Sequence, residues 1–127
     1  MLTVTISQMD AFRHARLRDF VRDMTDYIAA EYPRHHVRLG ADGVRAFVER
    51  SMESARRLGI TREGAVGALT ELRLVYGDDL ERAPDRQWAR NILAHGELPD
   101  YIKVEAVQNR LQEKTDGFAL VVFDGAE

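Results

Sequence analysis

The chain of 127 residues contains no cysteine at all. This absence excludes disulfides, thiolate metal sites and a cysteine nucleophile together. No apolar run approaches the roughly 18 residues needed to span a bilayer, and the N-terminus lacks the basic and long apolar regions of a secretory signal. We therefore expect a cytoplasmic protein without membrane contact.

Neither sign of charge dominates the sequence. It has 18 Lys and Arg against 21 Asp and Glu, for a formal net charge of -3. This balance argues against a protein built mainly to hold nucleic acid or an anionic membrane. The hydrophobic content of 45% suits one compact core, and the length is too short for two ordinary domains. We therefore predict a single domain over residues 1–127.

Motifs of catalysis and metal binding are also missing. There is no GxSxG elbow, phosphate-binding loop or HExxH pair, and no pair of carboxylates in an apolar frame. His14 and His95 have no serine partner in a supporting motif, and the adjacent His35 and His36 would point apart. The acidic residues 78–85 lack the ligand spacing of a calcium loop. We predict no enzyme activity, no metal and no cofactor.

What the sequence does contain is a series of amphipathic helical patterns. Ser7 is expected to cap the first helix, Pro33 to end it, and Pro84 to lie in the first turn of the fourth. Residues 33–40 are expected to form a basic loop that holds His35 and His36. Trp88 is expected in the core. The apolar spacing predicts helices over residues 8–32, 42–58, 62–76, 84–95 and 100–114.

A tight corner is predicted between the second and third helices. Gly59 would adopt the left-handed conformation just past a helix end, and Ile60 would fold back onto the last turn. The hydroxyl of Thr61 would then cap the next helix, which Gly77 stops.

Both ends of the chain depart from the helical pattern. Residues 1–6 alternate apolar residues with threonine, which predicts an extended arm. After a predicted turn at residues 115–117, the uncharged run 118–123 predicts an extended tail. The arm, the helices or another chain must cover this tail, and strand pairing between copies would give a homo-oligomer. The predicted partner-binding residues are Phe118, Leu120, Val121, Val122 and Phe123.

The fold class is thus mainly α: about five helices with short extended or β segments at the termini. A helix-turn-helix is one alternative, because Ala55, Gly59 and Ile60 resemble that motif's small residue, turn glycine and following apolar residue. However, residues 61–64, which would begin the DNA-reading helix, contain only one basic residue that could contact the edges of the bases. Four nearby acids would also repel phosphates: Glu71, Asp78, Asp79 and Glu81. Nucleic acid is therefore an unfavoured partner.

Three segments, ESARRLGI, LVYGDDLERAP and QWARNIL, together resemble small helical proteins associated with type VI secretion effector and spike clusters. The resemblance runs from about Gln8 to Leu93 and does not reach the tail. It implies a protein that holds another protein. The first hypothesis is an adaptor or chaperone that loads a secreted effector or spike component. The alternative is an immunity protein that blocks a toxin, for which the acidic residues 78–85 could face a basic nuclease.

Overall fold

The computed structural model describes the backbone of residues 6–126 and the side chains of residues 16–113. It confirms a mainly helical fold, and residues 6–126 contain no strand. The predicted arm at residues 1–5 lies outside the described residues, and Ile6 already belongs to the first helix. The α-helices are α1 (Ile6–Glu31), α2 (Pro33–Arg57), α3 (Glu63–Tyr76), α4 (Gln87–Leu93) and α5 (Asp100–Ala126), with a 3-10 turn at Pro84–Arg86.

Contacts within the chain group it into two compact units, Met1–Met52 and Glu53–Glu127. We call them unit 1 and unit 2. The boundary falls inside α2, so the last turn of that helix belongs to unit 2. The single domain stays a prediction.

In unit 1, helical spacing decides which side chains are buried. Phe20, Met24 and Ile28 follow one another at intervals of four residues on α1, and all three are buried. On α2, Val44, Phe47 and Val48 are buried in the same way, and the neighbouring Ser51 hydroxyl donates to the Phe47 carbonyl oxygen at 2.9 Å.

The predicted loop at residues 33–40 is helical, which corrects the sequence expectation. Proline lacks an N–H, but the first turn of a helix does not need one, so Pro33 begins α2 rather than only ending α1. The hydrogen-bond pattern even continues across the junction, since His36 N–H donates to the Tyr32 carbonyl oxygen at 3.0 Å. The helical geometry is interrupted at Gly40 (φ 76°, ψ 164°), close to the predicted helix start.

The corner after α2 has the predicted geometry. Gly59 has φ 77°, and its N–H donates to the Arg56 carbonyl oxygen at 3.1 Å. Ile60 N–H reaches back to the Ala55 carbonyl oxygen at 2.8 Å, and the Ile60 side chain is buried. These two bonds are those of a Schellman motif, in which left-handed glycine reverses the chain and the next apolar residue covers the helix end.

The core of unit 2 forms where α3 and α4 pack against α5. Trp88 was predicted in the core, and it packs against the edge of this core as a half-buried residue. The spacing of Tyr101, Val104, Val107 and Leu111 predicts an apolar stripe on α5, and the last three enter the core, whereas Tyr101 is 61% exposed. The buried core residues are Ala55, Ile60, Ala65, Leu69, Leu72, Leu80, Ala89, Leu93, Val104, Val107 and Leu111.

The C-terminal prediction is corrected by α5. This helix passes through the predicted turn at residues 115–117 and through residues 118–123, which were expected to be extended, and ends at Ala126. A short apolar run does not by itself distinguish a buried strand from a stretch of helix, and the preceding helical pattern is simply continued here.

Candidate functional site

The predicted partner-binding residues lie in the C-terminal half of α5. Their backbone is helical, and their side chains lie outside the described residues. Their role in binding therefore stays a prediction. We keep the name tail for residues 118–123.

A buried charge cluster is the main polar feature of unit 2. Arg73 of α3 is 2% exposed, and its Nη1 donates to Oε1 of Glu81 at 3.1 Å. Its Nη2 donates to the Asp78 carbonyl oxygen at 2.8 Å and also to the Asp78 carboxylate. Ser54, in the last turns of α2, donates its hydroxyl to the same Glu81 oxygen at 2.8 Å. The charge cluster, Ser54, Arg73, Asp78 and Glu81, therefore ties residues 77–83 to two helices.

We call residues 77–83 the connector. Leu80 is fully buried in the core, and its N–H donates to the Gly77 carbonyl oxygen at 3.1 Å. Arg86 donates from Nη1 to the Tyr76 carbonyl oxygen at 2.9 Å. The connector is thus held by an apolar anchor and by ionic contacts, and it contains three of the four acids of the acidic segment 78–85: Asp78, Asp79 and Glu81.

The charge cluster changes how the acidic segment can act. Glu81 is only 6% exposed, and the Asp78 side chain, although 41% exposed, contacts Arg73, so two of the four acids are paired with this cation. Asp79 and Asp85 remain exposed, and so does the cationic side chain of Arg82 in the same segment. The segment therefore offers less negative charge to a partner than its sequence suggests.

The first turn of α5 contacts the corner of residues 58–62. Asp100 Oδ2 accepts the backbone N–H groups of Thr61 at 2.8 Å and Arg62 at 3.0 Å. One turn later, Lys103 is 3% exposed, and its Nζ lies 3.5 Å from the Leu58 carbonyl oxygen. Two side chains of one helix therefore contact both sides of the corner.

This geometry corrects the predicted cap of α3. Thr61 was expected to supply the capping oxygen, but Arg62 takes the N-cap position and no side-chain hydrogen bond caps the helix from there. The acceptor comes instead from Asp100, 39 residues beyond Thr61.

The pKa of Asp100 reflects these contacts. Burial raises it, whereas the N–H groups of Arg62 and Thr61 and the positive charges of Lys103 and Arg62 lower it. The lowering contributions together outweigh burial, so the pKa lies below its ordinary value and the carboxylate is ionised at neutral pH.

The outward face of α5 is polar with one aromatic residue. Tyr101 is 61% exposed, and the exposed residues that follow it on this face include Glu105, Gln108 and Gln112. Exposed tyrosine is common in protein interfaces, but a single one on a helix is also ordinary surface. This face supplies a set of well-exposed positions for control substitutions.

Histidines and carboxylates form no metal centre in the described part of the chain. No three His, Asp or Glu side chains among residues 16–113 are grouped in a way that could hold a metal ion. His35 and His36 lie on α2 rather than in a loop, and the ring of His35 meets the edge of Tyr32 with centroids 5.7 Å apart. Within the described residues, no helix is long and apolar enough to cross a membrane.

Arg73, Asp100 and Lys103 were not singled out from the sequence, and Glu81 was named only among the acids that would repel phosphates. One signal was available for Arg73: on α3 it lies between the apolar Leu72 and Leu74, on a helix with few other polar residues. No comparable signal marks Asp100 or Lys103, because their partners are distant in sequence.

The chain was also compared with known proteins. No protein-family profile, curated protein or solved structure matches it.

Proposed function

We propose that this chain is a non-enzymatic accessory protein that binds another protein, as an adaptor or chaperone for a secreted effector or spike component of type VI secretion. The observation that carries the proposal is that α5 is much longer than α3 and α4, the helices that it packs against in unit 2. The secretion context comes from the resemblance of residues 53–60, 74–84 and 87–93.

The lengths of α3 and α5 differ by a factor of about two. α5 has 27 residues and α3 has 14, which at 1.5 Å per residue correspond to about 40 Å and about 21 Å. Because Asp100 contacts Thr61 and Arg62, α3 begins beside the start of α5. α3 can therefore accompany only about the first half of α5, and the tail belongs to the second half.

The composition of the tail indicates that the second half of α5 needs a covering surface. Residues 118–123 contain no polar residue, and a helical stretch that is apolar all round is normally buried. We infer that a protein partner supplies the cover. A hydrophobic helical segment that enters a groove is a common mode of peptide recognition.

The buried charge cluster supports a non-enzymatic role. Glu81 and Asp78 are buried or half-buried carboxylates, the type of group that can serve as a catalytic acid or base. Both are engaged by Arg73, and Glu81 also accepts from Ser54. Their contacts hold the connector in place rather than opening toward a substrate.

No specific observation favours either alternative, the immunity protein or the DNA-binding protein. The immunity hypothesis relied on the acidic segment, in which Asp78 and Glu81 are paired with Arg73. The DNA-binding hypothesis needs cations on the second helix of the motif, which is α3. Its basic residue, Arg73, is buried in the charge cluster, and Glu63 and Glu71 would face phosphates with the wrong sign.

The test compares Val121→Asp with Gln112→Asp, which places the same charge on the exposed polar part of α5. Each tagged chain is used to capture proteins from cells that naturally contain it, and bound proteins are identified by mass spectrometry. We expect a stoichiometric partner with the parent chain and with Gln112→Asp, and its loss with Val121→Asp.

Circular dichroism of the free variants must come first. If Val121→Asp unfolds while Gln112→Asp does not, the tail belongs to the chain's own fold and the proposal is wrong. The same conclusion follows if a folded Val121→Asp variant keeps the partner, or if the parent chain holds none.

A further inference from the structure

We propose that Asp100 and Lys103 form one clamp that holds the corner of residues 58–62 closed, and that protonation of Asp100 opens it. The clamp is a conformational device inside unit 2. It is independent of the proposed function, because none of its atoms belongs to the tail.

The geometry of the clamp follows from helical spacing. Residues at positions i and i+3 lie on the same side of a helix, so the first turn of α5 presents Asp100 and Lys103 together. Asp100 accepts from the N–H groups that precede α3, and Lys103 approaches the carbonyl group that follows α2. One turn of α5 thereby satisfies groups at the end of one helix and the start of the next.

The charges match the two helix ends that they contact. The start of a helix carries partial positive charge, which favours the Asp100 carboxylate, and the end of a helix carries partial negative charge, which favours the Lys103 ammonium group. The Schellman bonds of Gly59 and Ile60 satisfy other backbone groups of the same turn. The corner therefore combines a local backbone motif with a cap from a distant segment.

Acid should release the Asp100 half of the clamp. A protonated carboxyl group accepts backbone N–H groups less strongly than a carboxylate does. The charged groups that act on Asp100 are Lys103 on α5 and Arg62 at the corner, and both favour its ionised form. Because the pKa of Asp100 is lowered in the folded state, its contribution is present above the ordinary pKa of aspartate and is lost as pH falls through the lower, folded value.

The first experiment measures the backbone amides of Thr61 and Arg62 by NMR. Their chemical shifts should titrate with a midpoint below that of an ordinary aspartate, and Asp100→Asn should abolish this inflection. At neutral pH, Asp100→Ala should speed hydrogen exchange of both amides by about 2- to 30-fold, the range for loss of a capping side chain.

Glu105→Ala is the matched control, because it removes another acid from α5 at an exposed position. This variant should leave both amides unchanged. If the two amides titrate in Asp100→Asn as in the parent, or exchange equally fast in the parent and Asp100→Ala, Asp100 does not hold the corner and the proposal is wrong.

A second experiment tests whether the two residues act as one device. Lys103→Met keeps an apolar stem and removes the ammonium group. In urea unfolding, the midpoint loss of the double variant Asp100→Asn with Lys103→Met should be smaller than the sum of the two single losses, because residues that share one interaction are not additive. Additive losses would show two independent caps and overturn the single clamp.

Discussion

Two turns of unit 2 begin in the same way and are closed by different chemistry. The corner after α2 and the connector after α3 each start at a glycine with positive φ, Gly59 at 77° and Gly77 at 125°. At the corner, the contacts are backbone hydrogen bonds and the side chains of Asp100 and Lys103 from a distant helix. At the connector, Arg73 pairs with acids no more than eight residues away.

The difference shows what each turn depends on. The corner uses groups that any chain has, its backbone N–H and C=O, together with the partly exposed Asp100 and the buried Lys103, whose ammonium group has only a long contact of 3.5 Å there. The connector uses a guanidinium group taken out of water, which is tolerated only while its partners are present. Losing one partner should therefore damage the connector more than the corner.

The largest expected effect is at Arg73. Arg73→Met keeps most of the side-chain volume but leaves Glu81 buried without its cation, which should lower the free energy of unfolding by about 3–5 kcal/mol. Arg82→Met is the control, because the Arg82 side chain is 65% exposed and its contacts are weaker: Nη2 donates to the Asp78 carbonyl oxygen at 3.0 Å, and Nε lies 3.9 Å from Oε1 of Glu81. Its loss should cost no more than about 1 kcal/mol. Urea unfolding followed by circular dichroism measures both, and equal losses would contradict a special role of the buried cluster.

An intermediate effect should separate the two glycines. Alanine at Gly59 meets no atom within 4 Å and bears only the cost of left-handed backbone, about 1–2 kcal/mol. Alanine at Gly77 would place its Cβ 2.9 Å from Asp79 Oδ1, and φ of 125° lies outside the left-handed helical region. We expect Gly77→Ala to lose more stability, up to about 3 kcal/mol for the backbone alone. Thermal unfolding of both variants measures the two stability losses. A larger loss for Gly59→Ala than for Gly77→Ala would contradict this prediction.

The smallest effect concerns an arginine–carboxylate contact at the surface, just before the corner. The hydrogen bond from Arg56 is the main reason that the pKa of Glu53 falls to about 2; the charges of Arg56 and Arg57 add to it, and burial opposes it. A lowered pKa means that this contribution is present above the ordinary pKa and lost as pH falls through about 2.

Solvent screens this pair, so Glu53→Gln should hardly move the urea midpoint at neutral pH. An NMR titration of the Glu53 carboxyl group measures its pKa directly. A midpoint near 4.5, its ordinary value, would show that the Arg56 contact does not persist in solution.

These comparisons also show how far the sequence predicts the structure. Gly59, Ile60 and Gly77 specify turns through local backbone conformation and act as expected. Pro84 was expected in the first turn of the fourth helix, but it begins the 3-10 turn that precedes α4. The buried stripes of the helices follow from spacing for the same reason. Local rules therefore predict where the helices lie in unit 2.

The errors occur where local rules compete or where partners are distant. Pro33 can end one helix or begin another, and the structure shows that it begins α2. An apolar run such as residues 118–123 fits strand and helix alike, so the end of α5 was missed. Asp100 acts across 39 residues, and no local spacing can indicate a contact that depends on how helices pack.

The three segments on which the proposed type VI resemblance rests have identifiable places in this fold. Ala55, Gly59 and Ile60 form the corner, Gly77 and Leu80 shape the connector, and α4 contributes Ala89 and Leu93 to the core. Each has a structural reason to be what it is. The residues on which the proposed resemblance rests therefore shape the fold of unit 2.

Because α5 is continuous, the number of residues between its core-facing stripe and the tail sets the direction in which the tail lies. Each residue advances a helix by about 100°, so deleting one residue between Glu113 and the tail would rotate the tail by that angle relative to the stripe of Val104, Val107 and Leu111. Deleting all four residues between them, 114–117, would return it to within about 40° of the original direction, about 6 Å closer. A continuous helix thus fixes both the distance and the direction of the tail relative to the core of unit 2. A partner that binds the tail must approach it from that direction.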